Sequence, residues 1–118
     1  MSFEEEARNG HRSGMNCAMA VCTAYADMLG VDKGDIAAFA PRPRGEGGKC
    51  GAYLAGKKVL SSLKPSAVEE FEHRFVAMYG HTSCPMLLAA HKSLGKNCND
   101  FVGETARVIE ELLEEEDK

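Results

Sequence analysis

Residues 14–30 read GMNCAMAVCTAYADMLG. Within them Cys17, Val21, Ala24 and Met28 recur at i, i+4, i+7 and i+11, the spacing that lines one face of a helix. Thr23 and Asp27 fall on the other side. Asn16 or Ser13 offers a side-chain oxygen to cap the start, and Gly30 suits the left-handed residue that commonly ends a helix. The spacing predicts a helix over 15–29, with Cys17 and Val21 turned toward the core.

The same period continues downstream. A short helix is expected over 32–40, carrying Ile36 and Phe39. The segment PRPRGEGG at 41–48 cannot continue it, because its two prolines forbid helix and its glycines allow unusual backbone angles. Helical spacing resumes over 50–63, where Ala52, Gly56, Val59 and Leu63 share a face with Tyr53 and Leu60 beside it. Ala52 and Gly56 are small and one turn apart, which invites close approach by another helix. Pro65 fits the first position of a further helix whose stripe is Val68, Phe71, Phe75 and Met78 and whose stop is Gly80. Ser83, Cys84 and Pro85 open a segment closed by Gly95. A last helix starts near 98–100 and turns Phe101, Thr105, Val108, Ile109 and Leu112 inward, with EELLEEEDK at 110–118 as a fraying acidic tip. Upstream, Gly10, Ser13 and Gly14 break helix and Glu4 to Glu6 form a solvated run, so residues 1–13 read as a flexible leader. No β-branched alternation and no Asn-Gly or Asp-Gly turn signals a strand. The expected architecture is all-α, a bundle of five or six short helices in a single domain over 14–118.

Composition agrees. The chain has 118 residues, 44% of them hydrophobic and 27% charged, which suits one globular domain able to bury a core without staples. A formal charge of −4 argues against nucleic acid as a partner, and no apolar run approaches the ~20 residues of a membrane insertion. The acidic N-terminus does not read as a secretory signal, which points to a cytoplasmic setting. Structural disulfides are rare there, and five cysteines cannot all pair within one chain.

Cys50, Cys84 and Cys98 each stand at an expected helix start. Free N–H groups and about half a positive charge gather there and favour the thiolate, the form that attacks disulfides and binds metals. Lys49, Lys57 and Lys58 add positive charge near Cys50. Cys22 lies five residues after Cys17, about 140° around the helix, and reads as packing. No C-x-x-C is present, so zinc-ribbon and thioredoxin signatures are missing. His81, three residues before Cys84, is a candidate ligand or base. His91 shares a face with Cys84 but sits ~10 Å along the axis, too far to join it on one ion. His73 reads as solvated beside Glu69 and Glu70, and His11 carries no signal. GEGGKCG lacks the spacing of a phosphate-binding loop and follows no strand.

GMNCAMAV at 14–21, GKCGAYLAG at 48–56, and then Cys84 and Cys98 in that order resemble the C_GCAxxG_C_C family, small proteins described as redox-active and named for four shared cysteines. The resemblance spans about residues 12–112. It implies that Cys17, Cys50, Cys84 and Cys98 are the family cysteines and that Cys22 is not. One position departs: Ala55 stands where the motif has its last glycine, with Gly56 next.

Three readings follow. In the first, the four cysteines form a pocket for thiol/disulfide or electron-transfer chemistry with a redox partner the residues do not name. In the second, Cys17, Cys50, Cys84 and Cys98, with His81, hold a soft metal, as zinc or an iron–sulfur cluster. In the third, the thiols are inert core groups of an interaction domain.

Overall fold

The structure, a computed structural model, describes residues 2–41, 50–80 and 98–115. Of these residues 83% are helical and none is in a strand, so the all-α expectation holds. Seven α-helices occur among them: α1 (Phe3–Arg12), α2 (Cys17–Ala24), α3 (Ala26–Leu29), α4 (Ile36–Phe39), α5 (Gly51–Leu63), α6 (Val68–Tyr79) and α7 (Cys98–Glu114). Five of them have seven residues or more, close to the five or six expected. Short 3-10 turns at Lys33–Asp35 and Pro65–Ala67 lead into α4 and α6. The 41–48 loop beyond Pro41, and the segment from Ser83 to Gly95, lie outside the described residues.

The first correction concerns residues 1–13. Instead of a flexible leader they hold α1, docked mainly against α7 and α2. Ser2 caps its start by accepting from the Glu5 N–H at 3.1 Å. Glu4 to Glu6 then sit at the positive end of the helix dipole, and His11 and Arg12 at the negative end. Acidic residues that looked merely solvated are therefore helix-start residues. Gly10 does not break the helix, and a Cβ there would lie 3.1 Å from Met15 Sδ, so its lack of a side chain makes room for that sulfur. Ser13 and Gly14 do end it. The Ser13 N–H donates to Asn9 O at 3.0 Å, and Gly14 adopts φ 116°, which glycine alone takes without strain.

The second correction divides the opening stretch. Asn16 caps α2 by accepting from the Met19 N–H at 2.8 Å, as its position suggested. The helix then stops at Ala24, because Tyr25 (φ −106°, ψ 9°) leaves helical geometry and α3 restarts at Ala26. Val21 and Ala24 keep to the core, but Met28 is 49% exposed, since the one-face count does not carry through the break. Tyr25, the residue at that break, is fully buried. Its ring stacks on Phe3 at 4.4 Å and its hydroxyl donates to Ala106 O at 2.7 Å, so one side chain ties α1, α2 and α7 together. Burial, and after it Glu110 and Glu114, push its phenol well above the ordinary value.

The remaining helices match their stripes. α5 packs against α2, α6 and α7. A Cβ on Gly56 would overlap the Phe71 ring, so this glycine is what lets α6 approach. Tyr53, Phe71 and Phe75 form a buried aromatic cluster, with the Tyr53 hydroxyl donating to Glu72 at 3.1 Å. Along α7, Phe101, Thr105, Val108, Ile109 and Leu112 are all buried. Through Glu115 its end is held rather than frayed, with 116–118 outside the described residues: Lys64 Nζ donates to the carbonyls of Leu112 and Glu115, and Arg74 pairs with the Glu115 carboxylate at 2.7 Å. A cation at the last carbonyls complements the negative end of the dipole. No helix among the described residues is long and apolar enough to cross a membrane.

Candidate functional site

Cys17 is the first residue of α2, directly after the Asn16 cap, and is half-buried. It does not simply share the core position of Val21, because it meets the end of α1. Its Sγ lies 3.9 Å from His11 Nε2. The other ring nitrogen, Nδ1, lies 3.3 Å from Asn99 Nδ2, and that same amide nitrogen donates to Arg8 O at 2.9 Å.

The hydrogen-bond network assigns the proton positions. A carbonyl oxygen only accepts, so the group facing Arg8 O is the amide N–H side of Asn99. The same nitrogen then presents its second hydrogen to His11 Nδ1, which accepts. A ring nitrogen that accepts carries no hydrogen, which assigns the ring's N–H to Nε2, facing the sulfur. A side-chain chain from Asn99 through His11 to Cys17 thus offers an N–H to the sulfur, alongside the free N–H groups of the first turn of α2.

The surrounding charges are locked. Arg8 donates to Asp100 at 2.9 Å and to Glu4 at 2.8 Å, both in part-buried settings. A Cβ on Gly103 would overlap the Arg8 side chain, so the glycine makes room for this arginine between α1 and α7. Cys98 is the first residue of α7 and the immediate neighbour of Asn99. The openings of α2 and α7 therefore both adjoin the end of α1. Neither His11 nor Asn99 stood out in the sequence, since His11 sat in an apparent leader and Asn99 was only one of the residues near an expected helix start.

Cys50 precedes α5 as its N-cap residue, and its carbonyl accepts from the Leu54 N–H at 3.0 Å. It is only 5% exposed. A helix start leaves N–H groups free, but this one is not open to solvent: α5 packs on α2 and carries its own first residues into the core. Of the lysines expected near Cys50, Lys49 lies outside the described residues. Lys57 and Lys58 lie ~10 Å along the helix, with Lys57 over the Tyr53 ring and Lys58 4.6 Å over Phe39.

Cys22 is fully buried, and burial pushes its thiol up to about 12, against a smaller lowering by Lys58. Its reading as packing fits this setting. His73 is exposed, as expected. Cys84, His81 and His91, with the Cys98 side chain, lie outside the described residues. Among those described, no three His, Cys, Asp or Glu side chains gather as a metal site.

Fold and site together define a small helical protein that carries cysteines at the openings of α2, α5 and α7. The chain belongs to the C_GCAxxG_C_C family, described as "Putative redox-active protein", whose pattern it matches over residues 15–112. No curated protein and no solved structure matches it. His11 lies ahead of the matched segment, so the contact it makes with Cys17 is not part of what the family pattern covers.

Proposed function

We propose that this protein is a thiol redox carrier that works through Cys17, Cys50, Cys84 and Cys98 in a reducing compartment such as the cytosol. The observation that carries this reading is the placement of Cys17: first in its helix, half-buried, and 3.9 Å from the Nε2 of His11. A helix opening and a donor N–H both favour the thiolate. The family assignment supports the same four cysteines.

The reaction balances as thiol–disulfide exchange. The Cys17 thiolate attacks a disulfide of a thiol-bearing partner, forming one S–S bond and releasing one partner thiolate. A second cysteine of the chain loses its proton and attacks the Cys17 sulfur. That step closes an internal disulfide and releases the other partner thiolate. The protein loses two electrons, the partner disulfide gains them, and the two thiol protons end on the released thiols.

Metal analysis and thiol counting on protein purified without oxygen test the reading. Metal-free protein that loses two thiols on mild oxidation, regains them with a dithiol, and yields a mapped disulfide within the set of four is the expected result. A stoichiometric metal with a charge-transfer band would move the assignment to a metal module. Five thiols that resist mild oxidation would leave a structural domain.

A further inference from the structure

We infer that His11 and Asn99 are positioning residues that make Cys17 the attacking thiol, an inference whose chemistry rests on the redox reading above. Four observations carry it. The His11 ring is fixed from both sides, by Asn99 at Nδ1 and by Cys17 at Nε2, at 3.3 and 3.9 Å. Asn99 is itself fixed by its bond to Arg8 O, which decides the direction of its amide and through it the tautomer of the ring. The Arg8 guanidinium is held by Asp100 and Glu4, and the His11 ring meets the sulfur. Finally, Cys17 is half-buried where Cys22 and Cys50 are buried, so of these three it is the thiol an incoming disulfide meets.

The roles differ among the three residues. Cys17 is the group that touches substrate. His11 donates its Nε2–H to the thiolate, stabilising the negative charge before attack. Asn99 acts through His11, by holding the tautomer that leaves Nε2 protonated. The Cys17 proton departs to solvent before the attack, and no electron moves through the ring. When the sulfur enters a disulfide its charge is gone and the hydrogen bond weakens, so the pair favours the reduced, anionic form of Cys17.

The test is site-resolved alkylation of the reduced full-length chain with iodoacetamide, followed by mass spectrometry, with Cys22 as internal reference for folding. His11→Ala slows Cys17 labelling about ten-fold, the effect of losing one charge-assisted hydrogen bond. This direction is diagnostic, because a ring that only shielded the sulfur would speed labelling on removal. His11→Gln, whose amide nitrogen falls near the position of Nε2, keeps the rate within about three-fold of wild type. Asn99→Ala slows it by a smaller factor, since the ring is then free to change tautomer. Cys22 stays slow in all three.

Cys17 labelling at the wild-type rate or faster in His11→Ala, with Cys22 still slow, overturns the inference. If Cys22 labelling rises in that variant, the fold has been lost and the other two decide. Preserved Cys17 reactivity in His11→Gln together with slowed reactivity in Asn99→Ala upholds the inference, and any other pair of results overturns it. Alkylation needs neither partner nor disulfide, so this outcome is independent of the oxidation experiment. A chain that never forms a disulfide but shows the His11 effect loses the redox reading and keeps the activated thiol.

Discussion

Cys17 and Cys22 lie on one short helix, five residues apart, and meet opposite surroundings. Cys17 opens α2, half-buried, at the positive end of the helix and with the His11 ring 3.9 Å from its sulfur. Cys22 sits two residues before the end of the same helix, fully buried, and its thiol is pushed up to about 12 by the loss of water. The residue type is the same and the helix is the same. What differs is whether a thiolate would find donors or only apolar neighbours, and that difference decides which sulfur reacts.

The largest effect expected from this contrast is kinetic. In native reduced protein at about pH 8, Cys17 labels at least ~100-fold faster than Cys22, because the Cys22 thiolate is scarce in addition to being covered. Unfolding in denaturant brings the two rates together. Site-resolved mass spectrometry reads both in one sample. Equal rates in the folded state would mean that the helix opening and the His11 ring do nothing for Cys17.

The second effect is on stability and falls on Cys22 alone. The folded thiol holds its proton up to about 12, while the unfolded one releases it near 9.0. Between those values the native state binds the extra proton, so stability falls as pH rises. The contribution is fully present below pH 9, is lost progressively above it, and disappears as pH passes the folded value. The slope reaches at most about 1.4 kcal/mol per pH unit, with a ceiling of about 4 kcal/mol across the window. Cys22→Ala costs about 1–2 kcal/mol near neutral pH from the lost packing. It also flattens the alkaline slope between pH 9 and 10, before the buried Tyr25 begins to contribute in both proteins. Urea titrations at several pH values measure this. An unchanged slope in the variant would show that Cys22 is not the group responsible.

How far the contrast was readable beforehand follows from its physics. The identity of Cys22 as packing could be read from its place in the helix, since helical spacing alone puts it away from the free N–H groups. The caps at Asn16 and Gly30, the close approach at Gly56 and the inward stripe of α7 could be read for the same reason: each depends on neighbours within a turn or two of chain. The setting of Cys17 could not. It is made by His11 and Asn99, 88 residues apart in the chain and joined only because α1 docks on α7. That docking depends on Ala7, on Phe3 against Tyr25 and on Arg8 against Asp100, long-range pairings with no periodic signal in a ten-residue helix rich in charge. The burial of Cys50 was hidden likewise, because a helix start looks exposed until the element packed across it is known.

The smallest expected effect separates the ion pair at this junction from the hydrogen bonds beside it. Arg8 and Asp100 meet at 2.9 Å, but both side chains keep part of their surface in water, at 20% and 32%. A pair so exposed contributes modestly, because solvent screens it and two long side chains must be held still. Asp100→Asn keeps the shape of the acceptor and removes its charge. It should lower stability by less than about 1 kcal/mol in urea titration. Arg8 retains Glu4, and the Asn99 bond to Arg8 uses the backbone carbonyl, so the route from Asn99 through His11 to Cys17 survives the change. Cys17 labelling in this variant should therefore stay within about two-fold of wild type, well short of the loss expected when a donor to the thiolate is removed. A ten-fold change would mean that the charge on Asp100, and not the ordered amide and ring, sets the sulfur's environment, and the difference between Cys17 and Cys22 would then be one of field rather than of hydrogen bonding.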